Sequence, residues 1–330
     1  MYFNLDGEYM PTAAQLTVIL KPRYRRRITV TGVGISLTDY TIPVTLDIRD
    51  KIPIKYPGVF AVDEEGNVLP AVVDKFSWIF GTPTIWIKIP SLPANVVKTL
   101  YLYYGIMKPQ LFRYSDVFLQ GDDFQDPDFT LAYWSLDIGG SPTVTRSFIG
   151  STLRISGTFP YGTGYFMGKP LISYSPGKHI QYVARTTYTG SGNVQAPRFD
   201  LGWDTYPRII YLLFAPGYWR VETWSSAEGA IGRHSVTGYL REYVLVDVYV
   251  TPSGFRHVIR TLDRAVTIMD YTFSTTPSTT MLEFGIANYS GTTQTVDAVF
   301  YHAFMRHYVS PEPSVSVGPE EEVYRYPDTL

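Results

Sequence analysis

Apolar and polar residues alternate with a period of two along much of the chain. In residues 41–48, Ile42, Val44, Leu46 and Ile48 alternate with Thr, Pro and Asp residues. This spacing places one face of a strand in a core and the other in solvent. No stretch of ten or more residues carries a comparable helical stripe. The pattern therefore predicts an all-β protein.

Turn-forming residues divide the chain into two predicted domains. Residues 23–112 contain short candidate strands separated by turns such as Glu65-Gly66-Asn67, which is typical of a small β-sandwich. Strands are predicted at residues 27–33, 41–48, 71–78, 84–89 and 98–104. Residues 116–318 contain longer strands, which favour a larger jelly-roll sandwich. Residues 319–330 are interpreted as an acidic C-terminal tail beyond the last strand.

Residues 1–22 stand apart and are called here the N-terminal arm. The arm contains a strand-like run whose residues are Gln15, Leu16, Thr17, Val18, Ile19 and Leu20. One interpretation makes this run the first strand of its own sandwich. The other makes it an inter-subunit strand that pairs with the sheet of a neighbouring copy, a mode in which main-chain hydrogen bonds supply affinity.

Composition narrows the class of protein. A chain of 330 residues can hold two domains, and a net charge of −2 does not attract nucleic acid or anionic lipid. No run of apolar residues is long enough to span a membrane, so no membrane insertion is expected. The first ten residues do not form a standard signal peptide. Either a leader was removed or the protein is assembled inside a cell, as a virion component is.

The chain has no cysteine and only five asparagines, and arginine outnumbers lysine. This depletion of thermolabile residues indicates a thermophilic source.

Several short motifs resemble those of an uncharacterised β domain of archaeal and bacterial surface proteins. They are Tyr24-Arg25-Arg26-Arg27-Ile28-Thr29-Val30, Ile42-Pro43-Val44, Thr84-Ile85-Trp86-Ile87-Lys88-Ile89-Pro90 and Tyr101-Leu102-Tyr103-Tyr104-Gly105. In that family the domain often precedes a concanavalin A-like lectin/glucanase jelly roll, and Gly121-Asp122-Asp123-Phe124 lies where such a jelly roll should open. The resemblance covers about residues 24–318. It implies a β fold and an extracellular or virion-surface location, and it brings no catalytic residues.

Catalytic motifs are not found. Jelly-roll glycosidases need two carboxylates on one strand face, whereas Asp247 and Glu283 are each alone in their predicted strands. The five histidines show no metal-ligand spacing and are interpreted as isolated residues. We therefore expect a protein that is not an enzyme and has no catalytic residues.

Four aspartates lie close together in the sequence and make calcium a possible cofactor. They are Asp122, Asp123, Asp126 and Asp128. Clustered carboxylates bind calcium in some loops, but aspartate-rich turns are also common without metal. The expectation is no cofactor, with calcium as the alternative.

One basic run and one acidic run are candidates for mutual contact. Because the basic run leads into a strand and the total charge is negative, a pairing surface is favoured over nucleic-acid binding. The acidic partner is expected in the same chain or in another subunit. The residues are Arg25, Arg26 and Arg27 on the basic side and Glu320, Glu321 and Glu322 on the acidic side.

Three tryptophans of the second domain are candidates for stacking on sugars. Flat aromatic rings give contact area at low entropy cost, although core packing or a subunit interface would use the same residues. Trp219 and Trp224 are five positions apart and would face opposite ways on one strand. The candidates are Trp203, Trp219 and Trp224.

These features together predict a structural subunit of an extracellular or virion-attached filament, from a thermophilic archaeon or an archaeal virus. Its partner is a second copy of itself, which it meets by strand addition through the arm. The alternative is a carbohydrate-binding adhesin that recognises cell-surface glycans. A glycoside hydrolase is the third hypothesis.

Overall fold

A computed structural model describes most of the chain. The described residues are 21–52, 57–106, 111–150, 152–172, 177–189, 194–201, 208–215, 218–225, 229–236, 243–273, 280–288 and 291–323, and between 191 and 242 only the backbone is described. Most of these residues are in strands and few are in helices, so the all-β prediction is confirmed. Among them no helix is long and apolar enough to cross a membrane.

The chain has three short helices and twenty-three strands within the described residues. The helices are α1 (Lys75–Phe80), α2 (Tyr114–Val117) and α3 (Pro127–Tyr133). The strands are β1 (Tyr24–Thr31), β2 (Leu37–Thr45), β3 (Gly58–Asp63), β4 (Val68–Leu69), β5 (Ala71–Asp74), β6 (Thr84–Leu92), β7 (Val97–Ile106), β8 (Gln120–Asp122), β9 (Ser135–Gly139), β10 (Thr143–Phe148), β11 (Leu153–Phe159), β12 (Thr163–Ile172), β13 (Lys178–Thr189), β14 (Val194–Leu201), β15 (Arg208–Ala215), β16 (Tyr218–Ser225), β17 (Gly229–Val236), β18 (Val244–Thr251), β19 (Gly254–Arg260), β20 (Thr267–Phe273), β21 (Thr280–Asn288), β22 (Gln294–His307) and β23 (Ser314–Glu322).

The strands form two compact units. The first unit contains the chain up to Phe118 and again from Val309, and the second runs from Leu119 to Tyr308. The second unit begins and ends at one place, because the Leu119 N–H donates to the Met305 carbonyl at 2.9 Å and β8 pairs with β22.

The first unit has a five-stranded sheet in the order β23-β1-β7-β3-β4 and a three-stranded sheet in the order β2-β6-β5. The predicted alternation in β2 is observed, since Ile42 and Val44 are fully buried. They join Ile28 and Val30 of β1 and Leu100 of β7 in one apolar core. Burial of this kind stabilises the fold by about 25 cal/mol for each Å² of apolar surface removed from water.

Two predictions about the first unit were wrong. Residues 71–78 form β5 and then helix α1, because the Asp74 carboxylate accepts the Phe76 and Ser77 N–H groups and so caps the helix.

The second wrong prediction is the acidic tail. Residues 320–322 belong to strand β23, which pairs antiparallel with β1 and places Glu321 opposite Arg25. Because of this pairing, residues 309–322 belong to the first unit, rather than to a domain at 116–318 and a tail at 319–330.

The second unit contains two larger antiparallel sheets. In the eight-stranded sheet the order is β10-β11-β22-β13-β18-β19-β20, with β8 also on β22, and in the seven-stranded sheet it is β17-β16-β15-β14-β21-β12-β9. Val244, Val246 and Val248 of β18 pack in one core with Phe284 and Ile286 of β21, as the alternation predicts. The two sheets thus share a sandwich core.

Candidate functional surface on the eight-stranded sheet

The face of the eight-stranded sheet that points away from the core is called here the outer face. Its composition follows from the pleat: core residues of β13 such as Ile180 and Tyr182 alternate with polar ones. The polar side chains of this face come from β13, β18, β19, β22 and their neighbours. Those of the centre are His179, Gln181, Asp247, Arg260 and Arg306.

These five side chains form a hydrogen-bonded group, the buried network. The Asp247 Oδ1 atom accepts from His179 Nε2 and from Gln181 Nε2, each at 2.8 Å, and its Oδ2 atom accepts from Arg260 Nη1 at 2.5 Å. Arg306 Nε donates to His179 Nδ1 at 2.9 Å. The side chains of His179 and Asp247 are only 3% and 4% exposed.

The hydrogen bonds fix the protonation state of His179. Arginine donates only, so the Nδ1 atom that faces Arg306 must carry a lone pair. Nε2 therefore carries the proton and donates it to Asp247, which makes the imidazole neutral. With both ring nitrogens occupied, His179 has no free nitrogen to accept a proton from a substrate, as a general base must.

Burial and the neighbouring donors shift the pKa of the Asp247 carboxyl in opposite directions. Burial raises the pKa of its carboxyl, but the hydrogen bonds from His179 and Gln181 and the charge of Arg260 outweigh burial and lower that pKa below its usual 3.8. Asp247 is therefore an ionised carboxylate at neutral pH, held inside the protein by its donors.

A cluster of tyrosines and charged groups lies beside the network on the outer face. The rings of Tyr243 and Tyr301 meet edge to face with centroids 5.1 Å apart, and the Arg185 guanidinium lies 4.7 Å from the centre of the Tyr243 ring. Arg154 Nε and Nη2 donate to both oxygens of Asp297 at 2.6 and 3.2 Å. We call these five residues the tyrosine cluster; all are partly exposed or exposed.

A second aromatic pair lies at the other end of β18. The centroids of Tyr249 and Tyr308 are 4.9 Å apart, and the His179 ring stacks on Tyr249 at 4.7 Å. Arg256 Nε donates to Asp270 at 2.8 Å. Asp247, Asp270 and Asp297 of the outer face are thus each bonded to an arginine, which is not the free carboxylate pair that glycoside hydrolysis uses.

Sequence reasoning missed this surface. The positions that alternate with valine in and just before β18, which include Tyr243, Asp247 and Tyr249, were visible from the sequence. Their partners were not visible, because His179 lies 68 positions away in the chain and only strand register brings it near.

Some predicted site residues fall outside the described residues. Residues 15–20 of the arm and Trp203 are among them. Trp219 and Trp224 are in β16, with Phe214 and Ile209 as register partners on β15, and their side chains are not described. Strand pairing by the N-terminal arm and stacking of these tryptophans on sugars stay predictions.

The predicted contact between basic and acidic runs is made within one chain. Arg25 Nε donates to Glu321 at 2.6 Å, and Arg26 lies 3.8 Å from Glu320. Arg27 donates instead to the Thr99 hydroxyl at 3.4 Å, and Glu322 is opposite Tyr24 in the β1–β23 register. These charges support the pairing of two strands in the first unit.

The aspartate loop is occupied by its own chain. Asp122 accepts from the Phe124 N–H at 2.9 Å and from Trp134 Nε1 at 3.0 Å, and Asp126 caps helix α3. Within the described ranges no three histidine or carboxylate groups are placed to hold a metal ion. Calcium binding stays a prediction that these contacts do not favour.

Comparison with known protein families gives one match, which covers part of the chain. Residues 52–137 match the model of a domain of unknown function, DUF2341. A search of curated protein sequences finds no significant match.

Solved structures that resemble the chain include a cellulose-induced protein, Cip1 (14% identity, TM-score 0.42, covering 58% of this chain and 99% of that one). Another is the CBM2 module of an evolved Dit protein of Lactobacillus casei BL23 phage J-1 (8%, 0.42, 58% and 97%). A third is Rv0315, a pseudo β-1,3-glucanase of Mycobacterium tuberculosis (11%, 0.42, 58% and 99%). At these identities and TM-scores none of them assigns a function to this chain.

The buried network generates a stability prediction. Asp247→Asn removes the charge that Arg260 contacts, so we expect a loss of about 3–5 kcal/mol in the free energy of unfolding, typical of breaking a buried pair. The matched control is Asp297→Asn, which breaks a more exposed aspartate–arginine pair and should cost about 0–1 kcal/mol. Urea unfolding followed by circular dichroism measures both. Equal losses in the two variants would contradict a special role for the network.

The lowered pKa of Asp247 predicts a pH dependence. The carboxyl titrates near 4 when unfolded and at a lower pH when folded, so its contribution is fully present above pH ~4 and is lost as the pH falls through the folded pKa. The Asp247→Asn variant should therefore lose less stability than the wild type between pH ~4 and 2. Denaturant midpoints measured across that range test this, and parallel curves for the two proteins would refute it.

Proposed function

We propose that this chain is a non-enzymatic structural subunit of a filament or similar assembly on the surface of a cell or virion, from a thermophilic archaeon or an archaeal virus. It assembles when the N-terminal arm of one copy adds a strand to a sheet of the next copy.

The observation that carries this proposal is the set of open sheet edges. Among the described strands, β20 pairs only with β19, and β9 pairs only with β12. An edge strand presents a row of N–H and C=O groups that template pairing with another chain. A contact in which each copy gives one strand and receives another does not close, so it extends into a fibre.

The chemistry of the outer face supports a role by contact. The network carboxylate and both nitrogens of His179 are used within the chain. Because these polar groups bond to one another, they support a role in stabilising the sandwich more than a role in catalysis.

Removal of the arm tests the proposal. The full chain should form multimers or fibres, whereas a chain lacking residues 1–20 should be a soluble monomer, because the donor strand is gone. The matched control lacks only residues 1–9 and keeps the strand-like run, so it should assemble. Size-exclusion chromatography with light scattering and electron micrographs provide the measurement. Multimers that survive the longer deletion would disprove donation by the arm.

The tyrosine cluster favours carbohydrate binding as a second candidate function. Aromatic faces stack on sugar rings, and the neighbouring Arg154, Arg185 and Asp297 supply donors and acceptors for hydroxyl groups. Such a site would make the protein an adhesin for cell-surface glycans, a role compatible with assembly.

A glycan array followed by titration tests this second function. For a glycan that binds the full chain, Tyr243→Ala and Tyr301→Ala should each weaken binding by about 3–10-fold, the range for loss of one aromatic contact. Tyr161→Ala is the control, because Tyr161 is exposed on the turn between β11 and β12, away from the cluster. Equal binding by all three variants, or no glycan bound at all, would exclude the cluster as a sugar site.

A further inference from the structure

We infer that the edge strand β9 is the acceptor for the N-terminal arm of a second copy. This inference rests on the proposed function and names the surface at which strand addition takes place.

Strand β9 carries apolar side chains that are not covered. Leu136 and Ile138 are opposite Met167 and Tyr165 of β12, and residues opposite each other in an antiparallel pair share a face. Met167 and Tyr165 are buried in the core of the second unit, at 1% and 6% exposure. Leu136 and Ile138 are on the same face but are 47% and 49% exposed. We call these two residues the apolar lip.

The backbone of β9 is available beside that lip. β9 is the last strand of the seven-stranded sheet, so among the described strands the side of β9 that faces away from β12 has no neighbour. An added strand would satisfy its N–H and C=O groups and cover the apolar lip in the same step.

Two of the other described edge strands, β23 and β2, carry residues that block pairing. β23 carries Pro319 and the three glutamates 320–322, and β2 has Pro43 near its centre. Proline and charge are the usual devices that block edge-to-edge association. β9 has no proline within its bounds and one charged residue, Asp137, which alternates with two exposed aliphatic residues.

The arm has a pattern that complements this edge. If residues 15–20 add as an extended strand, Leu16, Val18 and Leu20 share one of its faces, and its six residues match the five of β9 in length. Their apolar face can cover the apolar lip while the backbone pairs. Donation by a second copy leaves each subunit with one donor strand and one acceptor edge.

Charge placed on the lip tests the inference. Leu136→Lys combined with Ile138→Lys should abolish multimers, as deletion of residues 1–20 does. The matched control, Ile149→Lys combined with Val266→Lys, places the same charges on exposed aliphatic residues that lie outside the strands and should assemble normally. Circular dichroism checks that both double variants fold, as expected for substitutions at exposed positions.

Mixing two monomeric variants distinguishes donation between copies from pairing within one. The arm-deleted chain keeps the acceptor edge, and the lip variant keeps the donor arm. Each alone should be monomeric, and together they should form a 1:1 complex seen by light scattering. A mixture that stays monomeric would overturn the inference.

A synthetic peptide of residues 12–20 gives a direct measurement. It should bind the arm-deleted chain, and the lip substitutions should weaken that binding at least tenfold. In the peptide, Leu16→Lys with Val18→Lys should abolish binding, whereas Gln15→Lys with Thr17→Lys, on the opposite face, should retain it. Equal effects from the two faces, or no binding by the unmodified peptide, would count against β9 as the acceptor.

The outcomes separate the two proposals. If arm deletion gives monomers while the lip variant still assembles, strand donation stands and β9 is not the acceptor. If arm deletion leaves multimers intact, or the full chain is itself monomeric, both proposals fail.

Discussion

Every strand in this molecule shares its side chains between two faces, and that constraint governs the rest of the structure. The core faces are filled with valine, isoleucine and aromatic residues, as in β18 and β21. The remaining positions must be solvated, paired or covered by another chain. The buried network and the tyrosine cluster are two solutions for side chains that the period of two turns away from the core. The apolar lip is a third case, in which side chains on the core face stay uncovered at the edge of a sheet.

The fold class and many strand positions could be predicted from the sequence because they depend on local alternation. Val244, Val246 and Val248 face the core as their spacing requires. Residues 71–78 were harder, because a single capping aspartate, Asp74, converts half of an apolar run into a helix. Here a local hydrogen bond outweighs the strand propensity of the segment.

The candidate site was harder to predict because its residues meet only through strand register. Asp247 appears alone in its strand, and its partners His179 and Arg260 lie 68 and 13 positions away. The same holds for β23, which pairs with β1 although the two strands lie near opposite ends of the chain. The register of this pair also shifts between Arg26 and Ile28 of β1. The opposite charges of the basic and acidic runs indicated a contact between them but not the pairing of two strands, so the acidic run was interpreted as a tail.

The order of the two units along the chain has an evolutionary consequence. The first unit is interrupted after Phe118 and resumes at Val309, and the two ends of the inner unit meet where β8 pairs with β22. Because the second unit is inserted within the sequence of the first, the first unit can accept an inserted domain and still keep its last strand, β23. Recombination can exchange or diversify the inserted unit while the first unit is retained. We therefore expect homologues that share the first unit and carry unrelated inserted domains.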